Sequence, residues 1–517
     1  MWFSHNERIF GLKEVLKMAF KIGKKGGPAV GEAPADAVKG EAEAELAVFE
    51  ETGFFDDELN TKDKQIDIEV ESSIQKQKLI LYLTWPSLAE NVFTSVMSMV
   101  DMMMVGSLGA YAISSVGLVT QPKFIMMAAF MAMNVGTTAL VAQFKGARNP
   151  ERANASLNQA LILCVFMVAI VCGATALTSE ALIRFIAGTE LSDRIMSEGL
   201  RYYRIQIYGF PLTALTFTMN AALRGAGNVK ATFYNNSVAN VVNVVLNYCL
   251  IFGRFGLPRM EVAGASLATV IGQGVAFVMA LFVLAGGKQY IRLKVLQKWS
   301  VDFALMKRVV NIGVPAFIEQ IIMRVGALWF TTIVTALGDI AYATHMVAMN
   351  IQMLAFTTGM AFGTAATTLV GQSIGRKRID LAKVYVRMTQ MQGLIVSIVI
   401  AVFMFTCGRF ISRLYSDDLS IISLAADMLK IIAIVNPIMN ARFIYTSALR
   451  GAGDSKSAAI VTFIGVLIVR PVVAMLLVNI LGMGLTGVWI ALSSDFVISF
   501  FVIMLRYRRG KWMELKI

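Results

Sequence analysis

This sequence of 517 residues has few charged side chains: Asp, Glu, Lys and Arg make up 16%, against about 25% in a soluble globular protein. Its two histidines, His5 and His345, are too few for a histidine-rich metal site. Four cysteines lie in apolar stretches without a Cys-x-x-Cys pair, so neither a disulfide framework nor a zinc site is indicated; they are Cys164, Cys172, Cys249 and Cys407. No His-Glu-x-x-His motif or paired His/Asp cluster points to a membrane-embedded enzyme.

Apolar residues are abundant instead, at 56% of the chain, and from about Leu79 onward they form long blocks. Each block is about twenty residues or longer, enough to cross a hydrocarbon core of roughly 30 Å as a helix. There are twelve blocks: 79–106, 118–143, 154–177, 199–221, 231–253, 262–286, 309–337, 343–371, 386–407, 425–449, 458–480 and 483–505. The pattern predicts an all-α integral membrane protein with twelve transmembrane helices.

The net charge of +13 does not indicate a nucleic-acid partner, because the basic residues follow a membrane topology. One alternating set of loops, with the C-terminal tail, holds 23 Lys and Arg residues, and the other set holds six. Cytoplasmic loops of membrane proteins are rich in Lys and Arg. We therefore expect both termini to be cytoplasmic and the protein to lie in the inner cell membrane.

Residues 1–75 precede the first apolar block and form an N-terminal extension. Segment 1–25 is basic and amphipathic, and it lacks the apolar core of a cleaved signal peptide. Either a helix lying on the anionic inner leaflet or a disordered basic arm fits this segment. Segment 31–71 has 14 acidic and 3 basic side chains, which is typical of a disordered cytoplasmic linker.

The apolar region contains an internal repeat. The segment AlaLeuArgGlyAlaGly occurs at 222–227 and again at 448–453, an offset of 226. Further pairs match at an offset of 229, namely Pro86 with Pro315, Glu90 with Glu319, Gln143 with Gln372, and Gly146 with Gly375. Because each copy has six helices, both copies point the same way and form two parallel lobes related by a pseudo-twofold axis along the membrane normal. The predicted division is an N-lobe at 76–286, an inter-lobe loop at 287–308, a C-lobe at 309–507 and a basic tail at 508–517.

These motifs carry a resemblance to a known family. Segment 98–109, SerMetValAspMetMetMetValGlySerLeuGly, is similar to the first-helix pattern of the multidrug and toxic compound extrusion (MATE) family of cation-coupled antiporters. Segments 138–146 and 367–375, and both AlaLeuArgGlyAlaGly segments, also resemble that family, and the resemblance covers roughly 80–507. A major-facilitator transporter is the rival, but the basic run at 371–378 follows helix eight and lacks the Asp expected in that family's signature loop.

Several ionisable side chains lie within the apolar blocks. Each costs at least ~2.5–3.5 kcal/mol to insert, so each requires a reason. The candidates are Glu90, Asp101, Glu319, Arg324, Arg442, Arg470 and Asp495. Glu90 and Asp101 are about three turns apart on one helix and share a face, with Asp101 predicted toward the outer half of the membrane.

Helix five carries an amide stripe at Asn240, Asn243 and Asn247, and Thr269 lies on helix six. A carboxylate that faces amide oxygens can hold a proton or a hard cation such as Na⁺, whereas an amide stripe alone can serve helix packing. The equivalent positions of the second copy are apolar: Phe330, Val466, Val469 and Val473. We therefore expect the coupling chemistry in the first copy only.

The resemblance implies a coupling site at Asp101, Asn243 and Thr269. Asn247 stands where one MATE subgroup has a second Asp, so the coupling ion can be either H⁺ or Na⁺. Na⁺ would be bound by Asp101, Asn243 and Asn247. Another subgroup uses acids in the C-lobe, to which Glu319 corresponds only weakly; Arg324 on the same helix is a candidate ion-pair partner for it.

The sequence thus predicts a monomeric secondary antiporter that exports organic, multidrug-type cations in exchange for H⁺ or Na⁺ by rocker-switch alternating access, without a cofactor. Pro86 and Pro315 are expected to kink helices one and seven. The predicted substrate cavity contains Asn240, Glu90, Gln206, Asn220 and Glu319. The alternative is a flippase or exporter of a lipid-linked or anionic precursor, which would use Arg324, Arg442 and Arg470 in a cationic cavity.

Overall fold

The computed structural model describes residues 68, 72–187, 192–287, 289–293 and 300–514. The chain divides into two units, Met1–Gln65 and Ile66–Ile517, and the described residues all belong to the second. The basic segment 1–25 and nearly all of the acidic segment 31–71 lie outside the described residues, so both remain predictions.

The described chain is helical, without a β-strand, and the prediction of twelve long helices is confirmed. They are α1 Ser73–Gly106, α2 Ala110–Gly146, α3 Pro150–Ala187, α4 Asp193–Gly225, α5 Val229–Phe252, α6 Glu261–Ala285, α7 Phe303–Thr335, α8 Asp339–Gly375, α9 Ile379–Arg413, α10 Leu419–Gly451, α11 Ser455–Ile480 and α12 Gly484–Arg508. Ten of these are long and apolar enough to cross a membrane by composition alone, and α4 and α5 fall below that level. The protein is a multi-pass membrane protein.

 The repeated motif AlaLeuArgGlyAlaGly forms the turn between two consecutive helices in each lobe. The turn after α4 needs Gly227 at φ +81°, and Asn228 then caps α5 by accepting a hydrogen bond from the N–H of Ala231. The turn after α10 repeats this, with Gly453 at φ +91° and Asp454 accepting from the N–H of Ser457. Glycine adopts such a left-handed conformation without strain, so the motif ends one helix and starts the next within a few residues.

The two lobes pack their helices in equivalent ways. In the N-lobe α1 packs on α5 and α2 on α4, and in the C-lobe α7 packs on α11 and α8 on α10. Across the lobes α1 packs on α8, α7 on α2, and α2 on α8. Each lobe has its own apolar core, one around Phe130 and Phe210 and the other around Trp489 and Phe496.

The lobes meet at the C-terminal ends of α2 and α8 in a reciprocal contact. Gln143 donates to the main-chain oxygen of Gly451 at 2.9 Å, and Gln372 donates to that of Gly225 at 3.2 Å. Close approach requires glycine here, because a Cβ at Gly146 would collide with the main-chain oxygen of Gln372, and one at Gly375 with that of Gln143. We call this set of residues the inter-lobe clasp: Gln143, Gly146, Gly225, Gln372, Gly375 and Gly451.

One helix departs from the repeat. In α11, wide π-helical turns at Ile464–Val469 and Met475–Ile480 flank Arg470–Ala474, whereas its counterpart α5 is α-helical from Val229 to Phe252. Pro471 lies between the two wide turns and has no N–H to donate, which accounts for part of the irregularity. Pro86 and Pro315 lie inside α1 and α7 as expected, and the kinks assigned to them remain predictions.

Candidate functional site

A polar cavity of about 150 Å³ lies inside the N-lobe, among α1, α2, α4, α5 and α6. It contains four of the polar residues singled out from the sequence, on three different helices. The lining residues are Met97, Ser98, Asp101, Lys123, Tyr202, Ala239, Asn240, Asn243, Thr269, Gly272 and Gln273. The structure therefore brings together Asp101, Asn240, Asn243 and Thr269.

Helices α1 and α5 run parallel, and their polar side chains pair in one fixed register. Glu90 accepts from Asn236 at 2.5 Å, Asn240 donates to Thr94 at 3.2 Å, and Asp101 accepts from Asn247. In all three pairs the residue numbers differ by 146. The amide stripe predicted on α5 thus faces α1 along several turns, and Asn236 extends it by one residue that sequence reasoning missed.

The amides around Asp101 form a short network. Asn243 donates to the Thr269 hydroxyl at 3.2 Å, and Asn247 also lies 3.5 Å from the Asn243 oxygen. Asn247 is fully buried, and its side-chain oxygen has no hydrogen-bond partner among the described residues. A buried oxygen without a donor is costly, so the network retains capacity to accept a proton donor or a cation.

Lys123 is an ionisable residue of this cavity that sequence reasoning missed. It lies on α2 and lines the same cavity as Asp101. It also falls inside the predicted apolar block 118–143, so the rule that singled out the other intramembrane charges applies to it equally. The cavity is therefore lined by one acidic and one basic side chain.

Glu90 belongs to a separate cluster, which both lobes repeat. In the N-lobe it lies 3.8 Å from the Arg224 guanidinium and accepts from Asn236. In the C-lobe Glu319 lies 2.5 Å from Arg450 and accepts from Thr462 at 3.0 Å. The arginine of each AlaLeuArgGlyAlaGly segment therefore pairs with the glutamate of the first helix in its own lobe.

The ion-pair partner suggested for Glu319 was wrong. Arg324 does not pair with it; its guanidinium lies over the ring of Phe124 on α2, 4.1 Å from the centroid. Five residues along a helix turn by about 140°, so Arg324 and Glu319 lie on different faces of α7. The partner of Glu319 comes from α10 instead.

The C-lobe has a buried polar cluster of its own, and the expectation that the coupling chemistry lies in the first copy only stays a prediction. Arg470 pairs with the fully buried Asp495 at 2.5 Å, and Arg442 donates to Thr462 at 3.3 Å. These groups do not occupy the positions equivalent to the N-lobe cluster, since Phe330 instead packs under the Arg470 guanidinium at 5.4 Å. Each lobe thus has its own polar cluster of different composition.

Two further predicted cavity residues are buried elsewhere in the N-lobe. Gln206 donates to the hydroxyl and main-chain oxygen of Ser266, at 3.2 and 3.3 Å. Asn220 donates to Asn236 at 3.2 Å, which joins it to the Glu90 cluster. Gln206, Asn220, Glu90 and Glu319 do not line the cavity around Asp101, and their contact with a substrate remains a prediction.

The MatE family model matches the chain twice, at residues 86–249 and 315–476, once in each lobe. The chain belongs to the MatE family. It is a transporter of small molecules in a membrane and not an enzyme. The two matches lie at the same places in the repeat that the sequence offsets defined.

Among relatives of this MatE transporter, the probable multidrug resistance protein NorM of Thermotoga maritima is 28% identical over 438 residues, which cover 84% of this chain and 93% of that protein. A solved outward-facing structure of a multidrug resistance MATE transporter of the MOP superfamily has a TM-score of 0.81 at 19% identity, covering 88% of this chain and all of that one. A Pyrococcus furiosus transporter of the same superfamily, whose structure is described as having a binding pocket of reverse polarity, has a TM-score of 0.80 at 19% identity and the same coverage. These likenesses in structure establish the fold.

A Gly-x-Ser-x-Gly spacing, found in serine hydrolases, also occurs in this transporter at residues 371–375. Ser373 is fully buried within α8 and donates to the main-chain oxygen of Leu369 at 2.7 Å. Gly371 and Gly375 of this segment allow α8 to pack closely against α2 and α10. The segment is therefore a packing element and not a nucleophile elbow.

Among the described residues no group of three His, Cys, Asp or Glu side chains is placed to hold a metal ion.

Proposed function

We propose that this transporter exports organic cations in exchange for H⁺ or Na⁺, with Asp101 as the ion-coupling carboxylate. The observation that carries the proposal is the position of Asp101 in a polar cavity of about 150 Å³ within the N-lobe, against Asn247 and close to Asn243 and Thr269. Phe330 replaces it at the equivalent position of the C-lobe.

A shared carboxylate explains antiport in thermodynamic terms. Exchange requires that the coupling ion and the substrate disfavour each other's binding. An ion that neutralises Asp101 removes the charge that attracts an organic cation, and a bound organic cation opposes ion entry. Asp101 therefore couples the two binding events without a second site.

Both ions fit the side chains around Asp101. A proton needs one carboxylate oxygen, whereas Na⁺ would use the Asp101 carboxylate and the side-chain oxygens of Asn243 and Asn247. The unpartnered, buried oxygen of Asn247 supports an occupant at this position.

We further propose a rocker switch in which the two lobes alternate about the inter-lobe clasp. The Lys and Arg bias of the loops supports cytoplasmic termini, which puts the clasp at the cytoplasmic ends of α2 and α8. In that orientation the described conformation is closed to the cytoplasm. Pro86 and Pro315 are proposed to allow α1 and α7 to bend during the exchange. The transporter is proposed to act as a monomer in the inner cell membrane.

The division predicted from the sequence is retained in this proposal: an extension at 1–75, an N-lobe at 76–286, a loop at 287–308, a C-lobe at 309–507 and a tail at 508–517.

A flippase for an anionic precursor receives less support. It would need a cationic cavity, whereas none of Arg324, Arg442 and Arg470 lines the cavity around Asp101, and Arg470 is paired with Asp495.

The test is transport by the purified protein in lipid vesicles that contain a cationic dye. An imposed pH gradient and an imposed Na⁺ gradient are applied separately, with protein-free vesicles as the control. We expect dye movement driven by at least one gradient. If neither gradient moves the dye and an anionic lipid-linked probe crosses the membrane instead, the antiport proposal is wrong.

A further inference from the structure

Lys123 adds a positive charge to the cavity in which Asp101 lies. No carboxylate of the described chain lies within 4.0 Å of it, so Lys123 is not neutralised by a direct ion pair. The neutral polar groups that line the cavity come from α1, α4, α5 and α6: Ser98, Tyr202, Asn240, Asn243, Thr269 and Gln273. Lys123 and Asp101 are thus the one basic and the one acidic residue that line this cavity.

Apart from Asp101, the residues that line the cavity around Lys123 carry no charge. The residue that follows it, Phe124, does not line the cavity and packs under the Arg324 guanidinium of α7. Asn247, which contacts Asp101 directly, contributes an amide and no negative charge. A cation that enters the cavity therefore meets one attracting and one repelling charge.

We propose that Lys123 is a built-in positive charge that keeps Na⁺ from binding at Asp101 and leaves the proton as the coupling ion. This inference rests on the proposed function of Asp101. Two unit charges separated by roughly 6 Å, about the width of such a cavity, repel each other enough to weaken cation binding on the order of 100-fold at an effective dielectric constant of about 20.

The same repulsion acts on a proton and on Na⁺, but its consequences differ. Na⁺ has to gather several oxygen ligands at once, so a loss of this size moves its binding beyond ordinary salt concentrations. A proton binds covalently to a single carboxylate oxygen and requires no coordination shell. The fixed ammonium therefore selects between the two ions by charge, and a neutral side chain at this position removes the selection.

The test measures binding of radioactive Na⁺ to the purified, full-length protein in lipid nanodiscs. We expect no saturable binding below about 100 mM in the wild type, and Lys123→Gln should bind Na⁺ on the order of 10- to 100-fold more tightly. Lys123→Arg keeps the charge and should behave as the wild type. Lys383→Gln removes an exposed lysine from α9 and serves as the matched control.

A second variant connects the gained Na⁺ binding to Asp101. The double variant Lys123→Gln with Asp101→Asn should lose it, and a thermal melt of each variant verifies folding. Wild-type binding of Na⁺ at millimolar concentration, equal Na⁺ affinity in the wild type and Lys123→Gln, or Na⁺ binding that survives Asp101→Asn would each overturn the inference. Failure of dye transport under both gradients would instead contradict the proposed function. The two outcomes are distinguishable because Na⁺ binding is measured without transport.

Discussion

The Gln143 side chain of the N-lobe donates a hydrogen bond of 2.9 Å to the main-chain oxygen of Gly451 in the C-lobe. The repeat returns the contact, since Gln372 donates to Gly225 at 3.2 Å. Both glutamines are buried. The pseudo-twofold relation between the lobes is thus present in individual hydrogen bonds, and the clasp holds the lobes together at one end.

Removal of both glutamines of the clasp should favour separation of the lobes at that end. The variant Gln143→Ala with Gln372→Ala loses two inter-lobe hydrogen bonds, each contributing about 1 kcal/mol. Spin labels at the exposed Glu151 and Lys383, in a cysteine-free background, should report a larger population of long distances. Gln390→Ala is the control, because Gln390 bonds to Ala441 within the C-lobe at 3.0 Å. An unchanged distance distribution would argue against a clasp.

The glycines of the clasp should matter for a steric reason. In Gly375→Ala the new Cβ collides with the main-chain oxygen of Gln143, which is backbone and cannot swing away. We expect the same two labels to move apart and the thermal unfolding midpoint to fall. Gly173→Ala provides the comparison, since nothing lies within 4 Å of a Cβ at that position in α3. Equal effects of the two substitutions would contradict the close contact.

The Glu319–Arg450 pair should stabilise the C-lobe, because the Glu319 side chain is only 6% exposed. Glu319→Gln leaves Arg450 without its carboxylate, and breaking a buried pair in this way costs about 3–5 kcal/mol. The thermal unfolding midpoint should fall by about 3–5 °C for a chain of this size. Glu180→Gln is the matched change in a pair that is 52% exposed at the glutamate, and it should cost less than about 1 kcal/mol. Similar melting of both variants would refute a stabilising role.

Most of the fold was predictable from the sequence for a physical reason. A helix that crosses a bilayer needs an apolar run long enough to match its thickness, so each long apolar run in the sequence predicts one of the helices α1 to α12. Even α4 and α5, which fall below the level of the other ten helices in composition, were predicted from the apolar blocks 199–221 and 231–253. The wide turns of α11 were not predicted, because nothing in residues 464–480 apart from Pro471 signals them.

The candidate site was predictable only in part. Asp101, Asn243 and Thr269 were found because a polar residue in an apolar run is itself a signal. Lys123 carries the same signal and was overlooked. The partner of Glu319 was misassigned because Arg324 is near in sequence, whereas Arg450 approaches from another helix, and a helix-to-helix contact of this kind cannot be read from spacing along one helix.

In the proposed function, Asp101 couples ion entry to substrate export. The most direct measurement is gradient-driven dye efflux from vesicles containing Asp101→Asn, beside the wild type and Asp427→Asn. Asp427 is an exposed C-lobe carboxylate paired with Lys430, so its substitution should leave efflux unchanged. Asp101→Asn should abolish efflux driven by the gradient while the protein remains folded and inserted. Gradient-driven efflux that persists at the wild-type rate in Asp101→Asn would contradict the account.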